Sequence, residues 1–248
     1  MPKCAPLLLR LFPAQPLPPL KRCPSSPAGL PPVLLLHGTV DSPGAWAVLA
    51  DALTSRGRIV FVPAYGNRGT DAVENSVAEV EEYARGLLSS SRAERLDIIG
   101  HSQGGLIAYL LALRGFPLRR VVSVSGSIGG SCTEGPLTPI LRVLSWRRGT
   151  LARLLAGEAM TQQIARTGLT APDPYDGPTP LPSPPSWVNL ISGNDGVVKH
   201  WNPQAEQLLP DARTICLEER TGGRGARHWE QQADPEVVRI AVEEIMRA

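Results

Sequence analysis

The segment from residue 96 to residue 113 constrains the fold more than any other part of this sequence. Leu96–Ile99 is a short apolar run typical of a buried strand, and Leu106–Leu113 is apolar on every side, which is typical of a buried helix. Gly100–Gly104, which joins them, has the spacing Gly-x-Ser-x-Gly. A turn this tight requires glycine on either side of the serine and lifts the serine hydroxyl clear of the sheet. We therefore predict that Ser102 is a nucleophile; the alternative is a glycine-rich turn whose serine caps the helix.

The rest of the chain repeats this alternation of strand and helix. Helical spacing of apolar residues predicts helices over Trp46–Leu53, over Val73–Leu88 and from Asp234 onward, and Asp71 with Glu74 predicts a capping box before the second of these. The other predicted strands are Val33–Leu36, Arg58–Val62, Val121–Val124, Trp187–Ile191 and Arg213–Leu217. Such alternation predicts an α/β fold, a mostly parallel six-stranded sheet with helices on both faces.

Prolines mark the edges of this predicted domain. Ten of the 25 prolines fall within residues 1–32, so we predict a proline-rich N-terminal arm over residues 1–31 and one domain over residues 32–248. Strand patterning is absent between residues 129 and 186, where seven more prolines crowd between Pro172 and Pro185. We interpret residues 129–186 as an insertion after the fourth strand.

Composition excludes several classes of protein. The chain has 25 basic and 23 acidic residues and a net charge of +2, which argues against a nucleic-acid partner. No apolar run reaches the ~18 residues of a transmembrane helix and no cleavable signal is visible, so we expect a cytoplasmic location. The four cysteines lack metal-ligand spacing and are interpreted as reduced thiols, with one disulfide as the alternative. We expect neither a metal nor an organic cofactor.

A serine hydroxyl is a weak nucleophile at neutral pH and needs a base. The chain has four histidines. His101 belongs to the predicted turn itself, His37 ends the first strand, and His200 lies too close in sequence to the carboxylate favoured below. His228 lies in a loop rich in Gly and Arg after the sixth strand, from which it can reach the carboxyl edge of the sheet. We predict that His228 is the general base; the alternative is a surface loop histidine.

The base needs a carboxylate that fixes its tautomer and stabilises the imidazolium. Asp195 follows the fifth predicted strand at once, although Asn-Asp-Gly is also a plain turn signal. Asp173 and Asp176, in the insertion, are less well placed. Ser102, Asp195 and His228 follow three different strands, at the edge where open α/β sheets carry their sites.

With these motifs the chain resembles the α/β-hydrolase superfamily and, within it, small bacterial esterases and lipases, above all the class 2 lipase family. The resemblance rests on Pro32–Thr39, Phe61–Gly66, Leu96–Gly105 and Ser192–Val198. It implies the reduced, six-stranded form of the fold, with a lid or cap in the insertion. It also implies that the amides of Thr39 and Gln103 form an oxyanion hole. The family's histidine usually follows a glycine closely, and Ala226-Arg227-His228 departs from that pattern.

Together these features predict a serine hydrolase that cleaves carboxylic esters, an esterase or lipase, through an acyl-enzyme on Ser102. The expected substrate is a small-molecule or lipid ester. Two other classes remain open: amide or thioester hydrolysis or acyl transfer on the same triad, and a non-catalytic binding protein on the same scaffold. A serine nucleophile argues against dehalogenases and epoxide hydrolases, which attack with a carboxylate.

The insertion combines apolar residues with arginines, and no acidic residue occurs between Gly135 and Gly157. This pattern predicts two short amphipathic helices over the serine, as a fixed cap or as a mobile lid. Either form would line the acyl pocket with apolar groups and favour medium acyl chains over acetate. A mobile lid would add transient contact with a lipid interface.

Overall fold

A computed structural model describes residues 6–19, 30–128, 130, 157–165, 181–198, 206 and 208–247. Within these ranges six strands form one sheet: β1 (Val33–Leu36), β2 (Val60–Phe61), β3 (Leu96–His101), β4 (Leu118–Val124), β5 (Ser186–Ile191) and β6 (Arg213–Cys216). Their order is β2–β1–β3–β4–β5–β6, and every neighbouring pair is parallel. The predicted parallel sheet is confirmed.

Helices cover both faces of this sheet, as predicted. In chain order the described helices are α1 (Leu7–Leu11), α2 (Ala47–Thr54), α3 (Gly66–Gly69), α4 (Val73–Ser91), α5 (Gln103–Leu113), α6 (Glu158–Ala165), α7 (Leu217–Thr221) and α8 (Pro235–Met246). Alternate residues of β1 belong to opposite cores, because successive strand side chains point to opposite faces. Leu34 and Leu36 pack with α4 and α5, whereas Val33 and Leu35 pack with α2 and α8.

Two local predictions are wrong. β2 has two residues rather than five, because only Val60 and Phe61 pair with the short strand β1. The capping box at Asp71 does not form: α4 has no side-chain cap of its own, and the Val73 amide donates to Oε1 of Gln162 at 2.8 Å. A residue of the insertion therefore satisfies the start of α4.

An ion-pair network lies at the amino ends of the strands, opposite the carboxyl ends where the site is predicted. The fully buried Arg58 donates to the Asp97 carboxylate at 2.6 Å and to the carbonyls of Pro31 at 2.7 Å and Ile245 at 3.0 Å. Arg119 donates to the same carboxylate and to the same Ile245 carbonyl. This network fixes the end of α8 against the start of the sheet.

The described part of the predicted arm lies on the loop that follows β1. Leu8 and Leu9 are partly buried, whereas Leu7, Leu11 and Phe12 are 45%, 63% and 57% exposed. The arm is also attached through its backbone, since the Gln15 amide donates to the Ser42 hydroxyl at 2.9 Å and the Gln15 carbonyl accepts from the Gly44 amide at 3.1 Å.

None of the helices in the described ranges combines the length and apolar character that crossing a bilayer requires. Of the predicted insertion the structure describes Gly130, residues 157–165, which contain α6, and residues 181–186. The two amphipathic helices expected between residues 136 and 156 lie outside the described residues.

Candidate active site

Ser102 lies on a strained turn between β3 and α5. Its backbone has φ 52° and ψ −118°, a conformation that a residue with a side chain rarely adopts. The two flanking glycines make the turn possible. A Cβ atom on Gly100 would lie 2.4 Å from the Gly104 carbonyl group, and one on Gly104 would lie 2.1 Å from the Leu36 carbonyl oxygen. The turn therefore has the geometry that the Gly-x-Ser-x-Gly spacing predicts.

Asp195 and His228, from two different loops, form a buried pair. Asp195 follows β5, and His228 begins a short 3-10 turn, His228–Glu230, before α8. The Nδ1 atom of His228 lies 2.7 Å from Oδ2 of Asp195, and both side chains are almost fully buried. The sequence therefore predicted which carboxylate would meet which imidazole.

The Asp195 carboxylate accepts hydrogen bonds at both oxygens. The amides of Val197 and Val198 donate to Oδ1 at 2.8 and 2.9 Å, and Nε2 of Gln231 donates to Oδ2 at 3.0 Å. Burial acts to raise the pKa of Asp195, but the hydrogen bond and charge of His228, with the two amides, outweigh it and lower the pKa. An ionised carboxylate only accepts, so Nδ1 of His228 carries the proton of this hydrogen bond, and in the neutral ring Nε2 is the nitrogen that can accept one.

His101, the residue before Ser102, links the turn at Ser102 to the ring of His228. Its ring packs against that of His228, with centroids 4.6 Å apart. The ring of Trp229 contacts the His228 ring edge-on at 5.1 Å, although 69% of the Trp229 side chain is exposed. The His228 ring is thus held between a buried histidine and an indole at the surface.

The loop after β1 passes directly beside Ser102. A Cβ atom on Gly38 would lie 3.2 Å from the Ser102 Cβ, so only glycine allows this approach without a shift. Thr39 is the next residue. On the other side, Gln103 opens α5, where the first amides of a helix have no partner within the helix. Both predicted oxyanion-hole residues therefore lie next to Ser102.

The helical turn α3 packs against both of these residues. A Cβ atom on Gly69 would lie 2.6 Å from Oε1 of Gln103 and 3.2 Å from the Thr39 Cα. The Gly69 carbonyl accepts from Nε2 of Gln103 at 3.1 Å. Gly69 also has φ +67°, so a side chain there would be excluded both by the backbone conformation and by the space available.

Gln163, in α6, is a site residue that the sequence did not reveal. It is 2% exposed, and its Nε2 donates to Oγ1 of Thr39 at 2.8 Å and to the Ala159 carbonyl at 3.1 Å. Its Oε1 accepts from the Ser127 hydroxyl at 2.7 Å. The insertion thereby contacts the loop after β1, which carries Thr39, directly. Nothing in the local sequence distinguishes this glutamine from an exposed one.

Glu218, in α7, supports the loop that carries Asp195. The Ser192 hydroxyl donates to Oε1 of Glu218 at 2.7 Å and accepts from the Ala226 amide at 3.0 Å. Burial acts to raise the pKa of Glu218, but hydrogen bonds from Ser192 and Cys216 outweigh it and lower the pKa to about 2. An ionised carboxylate therefore ties the loop after β5 to the loop before His228. The sequence analysis had assigned no role to this residue.

The sequence as a whole agrees with this fold and this site geometry, since residues 33–241 match the alpha/beta hydrolase family. The chain belongs to the alpha/beta hydrolase family. The match runs from the first strand into α8, and so it includes the turn at Ser102 and the loops of Asp195 and His228.

Solved structures of other alpha/beta hydrolases share the fold. The monoacylglycerol lipase of Paleococcus ferrophilus is 18% identical, with 87% of this chain and 95% of that chain covered and a TM-score of 0.57. Alpha/beta hydrolase domain-containing protein 10 from mouse is 13% identical, with 87% and 88% covered and a TM-score of 0.57. An extracellular alpha/beta-hydrolase from a Paenibacillus species is 16% identical, with 86% and 98% covered and a TM-score of 0.54. At these identities the likeness establishes the fold.

The other candidates from the sequence have different positions in this alpha/beta hydrolase. His37 is buried at the end of β1, where its ring stacks on Tyr65 with centroids 4.2 Å apart. Asp173, Asp176 and His200 lie outside the described residues. Among the residues that the structure describes, no three His, Cys, Asp or Glu side chains gather as metal ligands would.

Proposed function

We propose that this chain hydrolyses carboxylic esters through an acyl-enzyme formed on Ser102. The observation that carries the proposal is the hydrogen bond of 2.7 Å between Asp195 and His228, beside a strained serine turn. A surface histidine would need neither a buried carboxylate nor contact with the residue before the serine. The likeness to lipases and esterases at the level of the fold agrees with the proposal.

In the proposed reaction Ser102 attacks the acyl carbonyl while Nε2 of His228 takes the hydroxyl proton. The Oγ–C bond forms, and the carbonyl electron pair moves to the oxygen. The amides of Thr39 and Gln103 would donate to this oxyanion, which is where preorganised donors reduce the barrier most. Asp195 stabilises the imidazolium without accepting its proton.

The second half of the proposed reaction reverses the roles. His228 gives its proton to the departing alkoxide, so that the alcohol leaves and the acyl group stays on Ser102. Water then enters, and His228 takes a proton from it as it attacks the acyl carbonyl. Collapse of the second oxyanion releases the acid and returns the proton to Ser102.

The substrate class can be tested with nitrophenyl esters of acetate, butyrate and octanoate, together with the matching anilides and thioesters. We expect ester hydrolysis with butyrate and octanoate ahead of acetate, because the sequence of the insertion is rich in apolar residues, which we propose line the acyl pocket. A fluorophosphonate probe should label wild type and leave Ser102→Ala unlabelled. Absence of both labelling and ester hydrolysis in wild type would overturn the proposal, and faster turnover of the anilides or thioesters would replace the ester assignment.

The insertion is part of the same proposal. We propose that the apolar and basic insertion is a fixed cap; the alternative is a lid that opens on contact with aggregated ester substrate. With a lid, the rate of hydrolysis should rise abruptly when the substrate concentration passes the solubility limit. Smooth saturation across that limit would rule out the lid and leave an esterase with a fixed cap.

A further inference from the structure

Arg68 joins three separate parts of the chain beside the loop after β1, which carries Thr39. Its guanidinium donates to the carbonyls of Val40 at 2.6 Å and Asp41 at 3.1 Å, in the loop after β1. It also donates to the carbonyls of Phe12 at 2.6 Å and Leu9 at 3.4 Å, at the end of α1. One side chain therefore holds the backbone of the arm and the backbone that follows Thr39.

The backbone around Arg68 is left-handed. Gly66, Asn67, Arg68 and Gly69 have φ values of +56°, 46°, 62° and +67°. The amides of Gly69 and Thr70 bond the carbonyls four residues earlier, so α3 is one turn of a left-handed helix. Such a turn is unfavourable for residues other than glycine, and strain of this kind persists where the surrounding structure fixes it.

A second strained residue faces this turn. Val40 has φ 64°, which is rare for a β-branched residue, and its amide donates to the Arg68 carbonyl at 2.9 Å. Since the Arg68 guanidinium donates back to the Val40 carbonyl, residues 40 and 68 are bonded in both directions. Gly38 lies beside Ser102, and Val40 is bonded to Arg68. Thr39 lies between Gly38 and Val40, so the backbone is held on both sides of it.

From this geometry we infer that Arg68 is a positioning residue, which fixes the Thr39 amide for the oxyanion and makes the N-terminal arm part of its support. The inference rests on the proposed function, because Thr39 has this role only if Ser102 forms a tetrahedral intermediate. Arg68 itself touches neither Ser102 nor His228 in any described contact. It acts through the loop backbone.

Two features indicate that the arm supports the loop after β1 through polar contacts. Leu7, Leu11 and Phe12 are exposed, although Leu8 and Leu9 are partly buried, so burial of apolar surface explains only part of why the arm lies where it does. Its own backbone makes polar contacts at both ends: the Phe12 carbonyl accepts from the Arg68 guanidinium, and Gln15 bonds the Ser42 hydroxyl and the Gly44 amide. The guanidinium provides several donors in a fixed plane, an arrangement that lysine cannot reproduce.

The test compares Arg68→Met and Arg68→Lys with wild type in kcat, in KM and in the affinity for a trifluoromethyl ketone. That ketone adds Ser102 Oγ to its carbonyl carbon, and the resulting oxyanion needs the same donors as the reaction. We expect kcat and inhibitor affinity to fall together by about tenfold to a hundredfold, less than the loss of a whole donor, while KM stays near wild type. Arg68→Lys should recover little.

Arg56→Met is the matched control, because Arg56 also donates to a backbone carbonyl, that of Ala52 at 2.8 Å, but on the exposed side of α2. Its kcat and inhibitor affinity should equal those of wild type. If Arg68→Met retains wild-type kcat and inhibitor affinity, or loses only KM, the inference is wrong. Failure of wild type to hydrolyse esters or to label would instead overturn the proposed function, whatever the Arg68 variants do.

Gly44→Ala tests the arm in the full chain and decides the matter if Arg68→Met does not fold. The added Cβ would lie 2.3 Å from the Gln15 carbonyl oxygen, which separates the arm from the loop without removing a residue. We expect kcat and inhibitor affinity to fall by a common factor of about three to ten. Gly86→Ala in α4 is the control, since nothing lies within 4 Å of its added Cβ. Wild-type kinetics in Gly44→Ala would separate the arm from catalysis.

Discussion

The two sides of the candidate site are built on different principles. On the acid–base side the ionised Asp195 accepts four hydrogen bonds, all from residues 197 to 231. On the proposed oxyanion side the donors are side chains. The Arg68 guanidinium donates to carbonyls of the arm and of the loop after β1, Gln103 donates to the Gly69 carbonyl, and Gln163 donates to Oγ1 of Thr39, so the contacts involve the arm, α3, α5 and α6. One side is centred on an ionised carboxylate and comes from one part of the chain; the other joins four parts, and there the Arg68 guanidinium donates to neutral carbonyls.

The difference has a physical reason. An ionised carboxylate in a buried position needs several hydrogen-bond donors. Two loops at the carboxyl ends of the neighbouring strands β5 and β6 supply them, and these loops are also close in sequence. An oxyanion exists only during the reaction, so its donors must be held in place while nothing occupies the site. Rigid backbone, held from several directions, achieves this. Substitutions on the two sides should therefore act differently.

The largest effect should come from removing the proposed nucleophile, Ser102, on which both sides of the site act. Ser102→Ala should lower turnover by a factor on the order of 10⁶, the loss measured when a triad member is removed from another serine hydrolase. The fold should remain, because alanine is smaller than serine. Ester hydrolysis and circular dichroism check the two halves of this expectation. Residual turnover above one per cent would mean that another group is the nucleophile.

Next in size is Asp195→Asn, which breaks the acid–base side alone. The amide keeps the shape of the carboxylate but can donate to Nδ1 of His228, which favours the wrong tautomer; in another triad enzyme such a change costs about 10⁴ in kcat. Asp211→Asn, in the exposed turn before β6, is the control and should have no effect. Full activity in Asp195→Asn would transfer the acid role, with Asp173 and Asp176 next to be tested.

Smaller effects should come from the oxyanion side. Gln163→Met removes the donor to Thr39 Oγ1 and should reduce kcat about tenfold with little change in KM, since misplacing one oxyanion donor costs less than removing it. Gln162→Met is a matched control on the same helix, because Gln162 instead contacts Val73 and Glu74 at the start of α4.

Gln162→Met should keep wild-type kcat and lose about 1 kcal/mol of stability, as removal of a helix cap does. Urea unfolding and steady-state kinetics on both variants separate the two effects. If both variants lose activity equally, α6 acts on the site only as a packed element, and the specific contact with Thr39 is unimportant.

A separate expectation concerns stability in mild acid rather than catalysis. Burial lowers the pKa of His101 well below 6.5, the nearby charge of His228 lowers it further, and burial also lowers the pKa of His37. Below pH ~6.5 the unfolded chain binds protons that the folded chain does not. The free energy of unfolding should therefore decrease as the pH is lowered, by up to ~1.4 kcal/mol per pH unit for each such histidine. Asp195, whose pKa is lowered, contributes no loss until the pH is below ~4.

Urea unfolding of wild type at pH 7.5, 6.5 and 5.5 measures this slope, and His101→Asn should reduce it. Equal stability at all three values would show that these rings are not held neutral in the folded chain. Hydrolysis is not needed for this measurement, so it tests the buried rings apart from the reaction.

Much of the acid–base side could be predicted from the sequence. The Gly-x-Ser-x-Gly spacing is visible in the sequence although the contact that requires Gly104 is with the distant Leu36, and Asp195 and His228 each come after a predicted strand. The carboxyl ends of parallel strands meet at one edge, so chain order alone brought these residues together.

The oxyanion side was less accessible. Thr39 and Gln103 were assigned through the family resemblance, whereas the contacts that support them were not predicted. The left-handed turn Gly66–Gly69 has no hydrophobic pattern, and Gln163 meets Thr39 across 124 residues of sequence. The cap of α4 was assigned wrongly to Asp71 for the same reason, because its actual partner, Gln162, lies in a distant helix.

The network at Arg58 has a consequence for the order in which this chain can fold during synthesis. Arg58 and Asp97 leave the ribosome early, but the Ile245 carbonyl, which both Arg58 and Arg119 need, follows 187 residues after Arg58. Until α8 emerges, the face of the sheet lined by Val33 and Leu35 is covered by α2 but lacks the cover that α8 provides. A nascent chain in that state exposes apolar surface and is prone to aggregate. Emergence of α8 therefore ends the period in which this apolar face is most exposed.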